Sequence, residues 1–142
     1  MEIPDDVVFE TVYKKGAVFY FVEEEFSSTE PHFFIILNHS PQAQKVFILA
    51  IPSHRVMATY YRRPEATVET LIQVSPTEYE GFTKDSIIDC NRVMVKSITE
   101  IKDKHQAGKL RLKPDFPDNL LKKLVNGVKS SPLIEKRLKD LL

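Results

Sequence analysis

The stretch HFFIILNHSPQAQKVFILAIPS, residues 32–53, holds two apolar runs, HFFIIL (32–37) and VFILAI (46–51), set apart by the turn formers of NHSPQ. Both runs are short and rich in aromatic and β-branched residues, and turn signals bound them, so both are expected to be strands. Working outward, AVFYFV (17–22) behind Gly16 has the same character, TVETLIQV (67–74) carries the same residue types, and SIIDC (86–90) with RVMV after it supplies a fifth strand. The intervening segments are too short for crossover connections, which need a dozen or more residues each, so antiparallel pairing is expected. Five compact strands predict a small barrel over about residues 7–96.

The last third changes period. SITEIKDKHQAG opens with Ser97, a residue type that caps helices, spaces Ile98 and Ile101 three apart and stops at Gly108, which predicts a short helix. A second helix is expected to open at Pro117 and Asp118 and to carry Leu120, Leu121, Leu124, Val125 and Val128 on one face, with lysines behind. A third is expected from SSPLIEKRLKDLL, with Ser131 as N-cap, Pro132 in the first helical position and Leu133, Ile134, Leu138, Leu141 and Leu142 as its apolar positions. These helices fill about residues 97–142. With no repeat, low-complexity tract or linker, the 142 residues are read as a single domain of class α+β, mainly β.

Twenty basic residues balance twenty acidic ones, so the total charge predicts no polyanionic partner. Its distribution is uneven: residues 101–142 hold 11 Lys and Arg against 5 Asp and Glu, and the first hundred are correspondingly acidic. The lone cysteine, Cys90, sits in an apolar run and is expected to be a buried, inert thiol, which suits a reducing cytoplasm. The start, MEIPDDVVFE, has acids where a signal peptide has bases, and no apolar run approaches the roughly 20 residues needed to span a bilayer. A soluble protein of the cytoplasm is expected.

Several chemistries find no support. The histidines, at 32, 39, 54 and 105, form no HxxxH pair and have one cysteine to help, so no metal site is expected. No GxGxxG or GxxxxGK[ST] occurs, so no nucleotide cofactor is expected either. The acidic VEEEF (22–26) reads as a solvated strand end and loop rather than a catalytic carboxylate pair. Three places remain. His32 opens a strand behind Pro31, at a rim where an imidazole can do acid–base work, although a bond to a loop carbonyl would equally explain it. Ser53 ends a strand behind Pro52, a position that suits a cap or a turn as well. The segment SHRVMATYYRRP (53–64) gathers His54, Arg55, Tyr60, Tyr61, Arg62 and Arg63. Guanidinium groups pair bidentately with phosphate and tyrosines stack on unpaired bases, so single-stranded nucleic acid is its natural ligand. A solvated loop answering the acidic front of the chain is the other reading.

The order of FTKDSIIDCNRVMVKSITEI (82–101), GKLRL (108–112) and LLKKLVNGV (120–128) resembles the late strand, short helix, G-K-L turn and closing helix of the MazF/PemK-type toxins of bacterial toxin–antitoxin systems. The resemblance extends from Gly16 to about Val128. His32-Phe33 stands where that family has an Arg-Pro-led strand, and Ser53 stands where it has a threonine. The resemblance implies an SH3-like antiparallel β-barrel with C-terminal helices, a homodimer, an antitoxin protein as partner and metal-independent cleavage of single-stranded RNA. On that reading His32 is the base or acid, Ser53 hydrogen-bonds a non-bridging phosphate oxygen and Arg55 neutralises it. Arg62 and Arg63, with Tyr60 or Tyr61 and beside His54, hold the strand. A non-catalytic RNA- or protein-binding module on the same barrel is the rival. A third reading makes the C-terminal helices a protein-interaction face.

Overall fold

A computed structural model describes residues 3–54 and 67–142. The fold is α+β and mainly antiparallel β. Five α-helices among the described residues surround two sheets. After helix α1 (Asp5–Thr11) come strands β1 (Val18–Phe21) and β2 (His32–Ile36), the one-turn α2 (Pro41–Gln44), β3 (Val46–Ala50) and β4 (Pro52–Ser53). A 3₁₀ turn (Val68–Thr70), β5 (Leu71–Val74), β6 (Ser86–Asp89), β7 (Met94–Ser97), α3 (Ile98–Gln106), β8 (Leu110–Lys113), α4 (Asp118–Ser130) and α5 (Lys136–Lys139) follow. The larger sheet runs β7-β3-β2-β1-β8 and the smaller β4-β6-β5. No ladder among the described residues joins β7 to β8, so the larger sheet is open at both edges.

Continuous apolar runs at 17–22, 32–37 and 46–51 are what a strand needs when both its faces are covered. Side chains alternate across a strand, so one face carries Val18, Ile35, Ile48 and Ala50 and the other Phe19, Phe34, Ile36, Phe47 and Leu49. The first face packs under α4 and the smaller sheet, through Leu120, Leu124, Val128 and Ile88. The second packs under α1 and α3, through Phe9, Tyr13 and Ile101. Burying each large side chain contributes on the order of 2 kcal/mol.

Three strands more than the expected five are present, and each has a local cause. Residues 86–95 form β6 and β7 rather than one strand, because Asn91 turns the chain: its backbone N–H and its side-chain amide both donate to Asp89 Oδ1. The G-K-L turn expected at 108–110 runs at Leu110 straight into β8, paired with β1 from Val18↔Lys113 to Phe21↔Leu110. The segment 46–53 forms β3 and then β4, which changes sheet after Ile51.

The NHSPQ turn is pinned from within. Buried Asn38 donates to Gln44 Oε1 (2.9 Å) and Val46 O (2.8 Å) and accepts from Ile48 N–H (2.9 Å). The α3 expectation is met at both ends: Ser97 accepts from Glu100 N–H, and Gly108, at φ 73°, closes the helix as Lys109 N–H donates to Lys104 O. Helix α4 starts behind Pro117 and buries all five expected residues. It lies so close to β6 that a Cβ on Gly127 would stand 2.7 Å from both Cys90 Sγ and Glu69 O. Cys90 is buried as expected, and burial followed by the Asp89 charge pushes its thiol up to about 12.

The third helix differs from the expectation. Ser131 is fully buried, donates to Asn91 Oδ1 (2.7 Å) and accepts from Leu133 N–H, and the helix begins later, behind Glu135, without Pro132 in its first turn. The hydroxyl is committed to the core, so the chain runs on before coiling. Helix α1 was not expected; its signal is Asp5 and Asp6 in a first turn behind Pro4, where carboxylates oppose the helix dipole. No helix among the described residues is long and apolar enough to cross a membrane.

VEEEF is only partly the solvated segment expected. Glu24 is exposed, but Glu23 is 2% exposed and pairs at 2.7 Å with Lys96, itself 7% exposed, which also reaches Glu100 at 2.9 Å. The correction follows from β7, which carries Lys96 under the end of β1. Burial alone would push the Glu23 carboxyl up, but hydrogen bonds from Lys96 and from Glu25 N–H, with the charges of Lys96 and Lys104, hold it below the usual carboxylate range. Burial likewise pulls Lys96 down and is outweighed by its bonds to Glu100 and Glu23, so its ammonium sits above the ordinary lysine value. Glu23 therefore contributes stability above about pH 4.3, lost as pH falls through its lowered pKa; Lys96 contributes below about pH 10.4, lost as pH rises through its raised one. We expect Glu23→Gln to lower stability at pH 7 by about 3 kcal/mol in urea denaturation, with the deficit shrinking as pH falls through the Glu23 titration. A loss below about 0.5 kcal/mol would show the pair to be dispensable.

Candidate functional site: a cationic groove at the junction of the two sheets

The sheet change after Ile51 creates the site. The β2–β3 ladder pairs Ile36↔Leu49 and Ile35↔Ala50. Carrying that register three residues further sets His32 opposite Ser53, where the chain has already turned to pair Ser53 with Ile87 of β6. Among the described residues no ladder therefore continues the pairing of β2 with this segment past Ala50.

His32, Pro52 and Ser53 form a wall between two cavities. The larger, about 410 Å³, is also lined by Tyr20, His54, Lys84 and Lys113. The smaller, about 230 Å³, is completed by Phe26, Ser28, Asp89 and Arg92. Two of the candidate residues, His32 and Ser53, far apart in sequence, thus line the same two cavities. His54 joins them on the larger cavity. Arg55, Tyr60, Tyr61, Arg62 and Arg63 lie outside the described residues.

His32 has its Nδ1 buried without a hydrogen-bond partner among the described residues, and the ring stands edge-on to Phe26 at 5.1 Å between centroids. The loop-carbonyl bond that would have made it purely structural is not there at Nδ1. His54 is exposed, with Nδ1 3.2 Å from Ser86 Oγ.

The floor of the larger groove is aromatic. Tyr20 and Phe33 sit on neighbouring strands with ring centroids 4.7 Å apart, Phe33 meets Phe82 at 5.1 Å, and Lys113 Nζ lies 4.8 Å from the centre of the Tyr20 ring. Lys84 and Lys113 against Glu30 make the described lining of the groove cationic. Such a surface can neutralise a phosphate and stack a base beside it. Among the described residues no group of three or more His, Cys, Asp or Glu is placed to hold a metal ion.

Sequence reasoning missed Tyr20, Lys84 and Lys113. Lys113 lies just past the segment read as a turn, and only the pairing of β8 with β1 brings it beside Tyr20. Lys84 lies in the loop before β6 and has no local pattern. No protein-family model and no curated protein matches the chain, so the reading of the site rests on its own geometry.

Proposed function

We propose that this protein is a metal-independent endoribonuclease that cleaves single-stranded RNA, acting in the cytoplasm as the toxin of a toxin–antitoxin system. The observation that carries the reading is the convergence of His32 and Ser53, from different strands, on a groove lined by Lys84 and Lys113 and floored by Tyr20. RNA carries its own nucleophile, the 2′-hydroxyl. The protein has to supply a base, an acid for the leaving 5′-oxygen and cations for the charge gathering on phosphorus. His32 acts as acid or base, Ser53 and Arg55 bind the scissile phosphate, and Arg62 and Arg63 with Tyr60 or Tyr61 extend the hold along the strand. We read the two sheets, continuous through the segment 46–53, as an opened SH3-like barrel. A second copy shares the groove across a twofold axis, and an antitoxin protein occupies it in the resting complex.

One observation favours a second reading, a non-catalytic RNA- or protein-binding module: His32-Phe33 stands where the resembled family has Arg-Pro. Cleavage of a long RNA in EDTA separates the two, since the module binds without cutting.

In that assay we expect His32→Ala to keep its fold, seen by circular dichroism, and to cut at least about 10²-fold more slowly. Unchanged cutting would remove His32 from the chemistry. For the double variant Lys84→Ala, Lys113→Ala we expect weaker RNA binding and a plot of log K against log salt flatter by about one to two, as each lost phosphate contact releases fewer counterions. A wild-type slope would leave both lysines facing water. Light scattering at micromolar concentration should give a mass near twice 16.4 kDa, and a clean monomer would rule out the shared groove.

A further inference from the structure

We infer that His54, fixed in one tautomer by the buried hydroxyl of Ser86, is the general base of this groove and works with His32 as the acid. The inference rests on the ribonuclease reading and adds to it a second catalytic histidine and a positioning residue.

Ser86 opens β6 and is fully buried. Its Oγ lies 3.2 Å from Lys84 O and 3.2 Å from His54 Nδ1. A hydroxyl has one proton, and a carbonyl oxygen only accepts. If Ser86 donated to the ring, its oxygen and the Lys84 carbonyl would face each other with no proton between them. The consistent order is Nδ1–H of His54 donating to Ser86 Oγ, and Ser86 O–H donating to Lys84 O. Neutral His54 then carries its proton on Nδ1, which leaves the lone pair on Nε2. This is the tautomer a general base needs, held by a buried neighbour as a triad carboxylate holds its histidine.

The positions suit a division of labour. Ser53 adjoins His54 in the chain, and both line the larger cavity with His32, so a phosphate bound at Ser53 has an imidazole from β2 and one from the end of β4 on the same cavity. His54 Nε2 takes the proton of the 2′-hydroxyl as that oxygen bonds to phosphorus. The bond from phosphorus to the 5′-oxygen breaks, and that oxygen takes a proton from the imidazolium of His32. The products are a 2′,3′-cyclic phosphate and a 5′-hydroxyl end. One proton has been taken up by His54 and one released by His32, and exchange with water restores both rings. Lys84 and Lys113 offset the charge on the phosphate throughout.

Two measurements test this on the full-length protein. Proton–nitrogen NMR of the imidazole rings should show neutral His54 protonated at Nδ1, and Ser86→Ala should lose that preference. In EDTA with a single-stranded RNA, His54→Gln should lower kcat at least about 10²-fold, and Ser86→Ala should lower it about 10-fold with KM within about twofold, as an orienting neighbour does. A neutral His54 protonated at Nε2 in the wild type overturns the inference without any variant having to fold. Cleavage that persists in His54→Gln overturns it alone and leaves the ribonuclease reading standing. A wild type that cuts no RNA overturns that reading and this assignment together.

Discussion

Residues 46–53 run as one extended segment that belongs to two sheets. Its first five residues hydrogen-bond to β2 and β7, and its last two to β6. Because Phe47 and Leu49 face one core while Ile48 and Ala50 face the other, the segment cannot slip by one residue without exchanging every side chain between cores. That constraint sets where β2 loses its partner. The groove is the consequence: the ladder stops at Ile35↔Ala50, and His32 and Ser53 lie three positions beyond it.

The supports of this junction are polar and buried, which makes them specific. Asn38 ties the turn before the segment, using its amide donors and its carbonyl oxygen. On the far side Asn91, Asp89, Thr70 and Ser131 form a connected network linking the end of β6, the 3₁₀ turn and the segment beyond α4. Each such group, if left unpaired, would cost about 1–3 kcal/mol, so alternative packings of the same apolar residues are disfavoured. The Glu23–Lys96–Glu100 cluster is a further buried polar support, tying the segment after β1 to β7 and α3.

Charge is arranged by the fold rather than by its total. The chain has equal numbers of acidic and basic residues, yet Lys84 and Lys113 face one groove while four glutamates and Asp103 gather with lysines about another. Lys104 and Lys109, from the basic end of the chain, are drawn into that second cleft. The first groove is left with Glu30 as its acid among the described residues that line it.

What the amino-acid order determined by itself was whatever depends on near neighbours. Apolar runs of six residues between turn formers specify strands, and the spacing of Leu120, Leu121, Leu124, Val125 and Val128 specifies a helix and its buried face, because side-chain direction follows the backbone period. Capping at Ser97 and the stop at Gly108 are equally local. His32 and Ser53 were legible as strand-end residues with useful chemistry. Their meeting was not, since it needs the register of β2 on β3 and the departure of β4 to β6. Short strands such as Pro52–Ser53 have too little pattern to announce themselves, and the late start of the last helix follows from Ser131 reaching Asn91, forty residues away. The tertiary structure alone decided that Lys113 would lie over Tyr20 and that Ser86 would hold His54, because those contacts join strands and loops that only packing brings side by side.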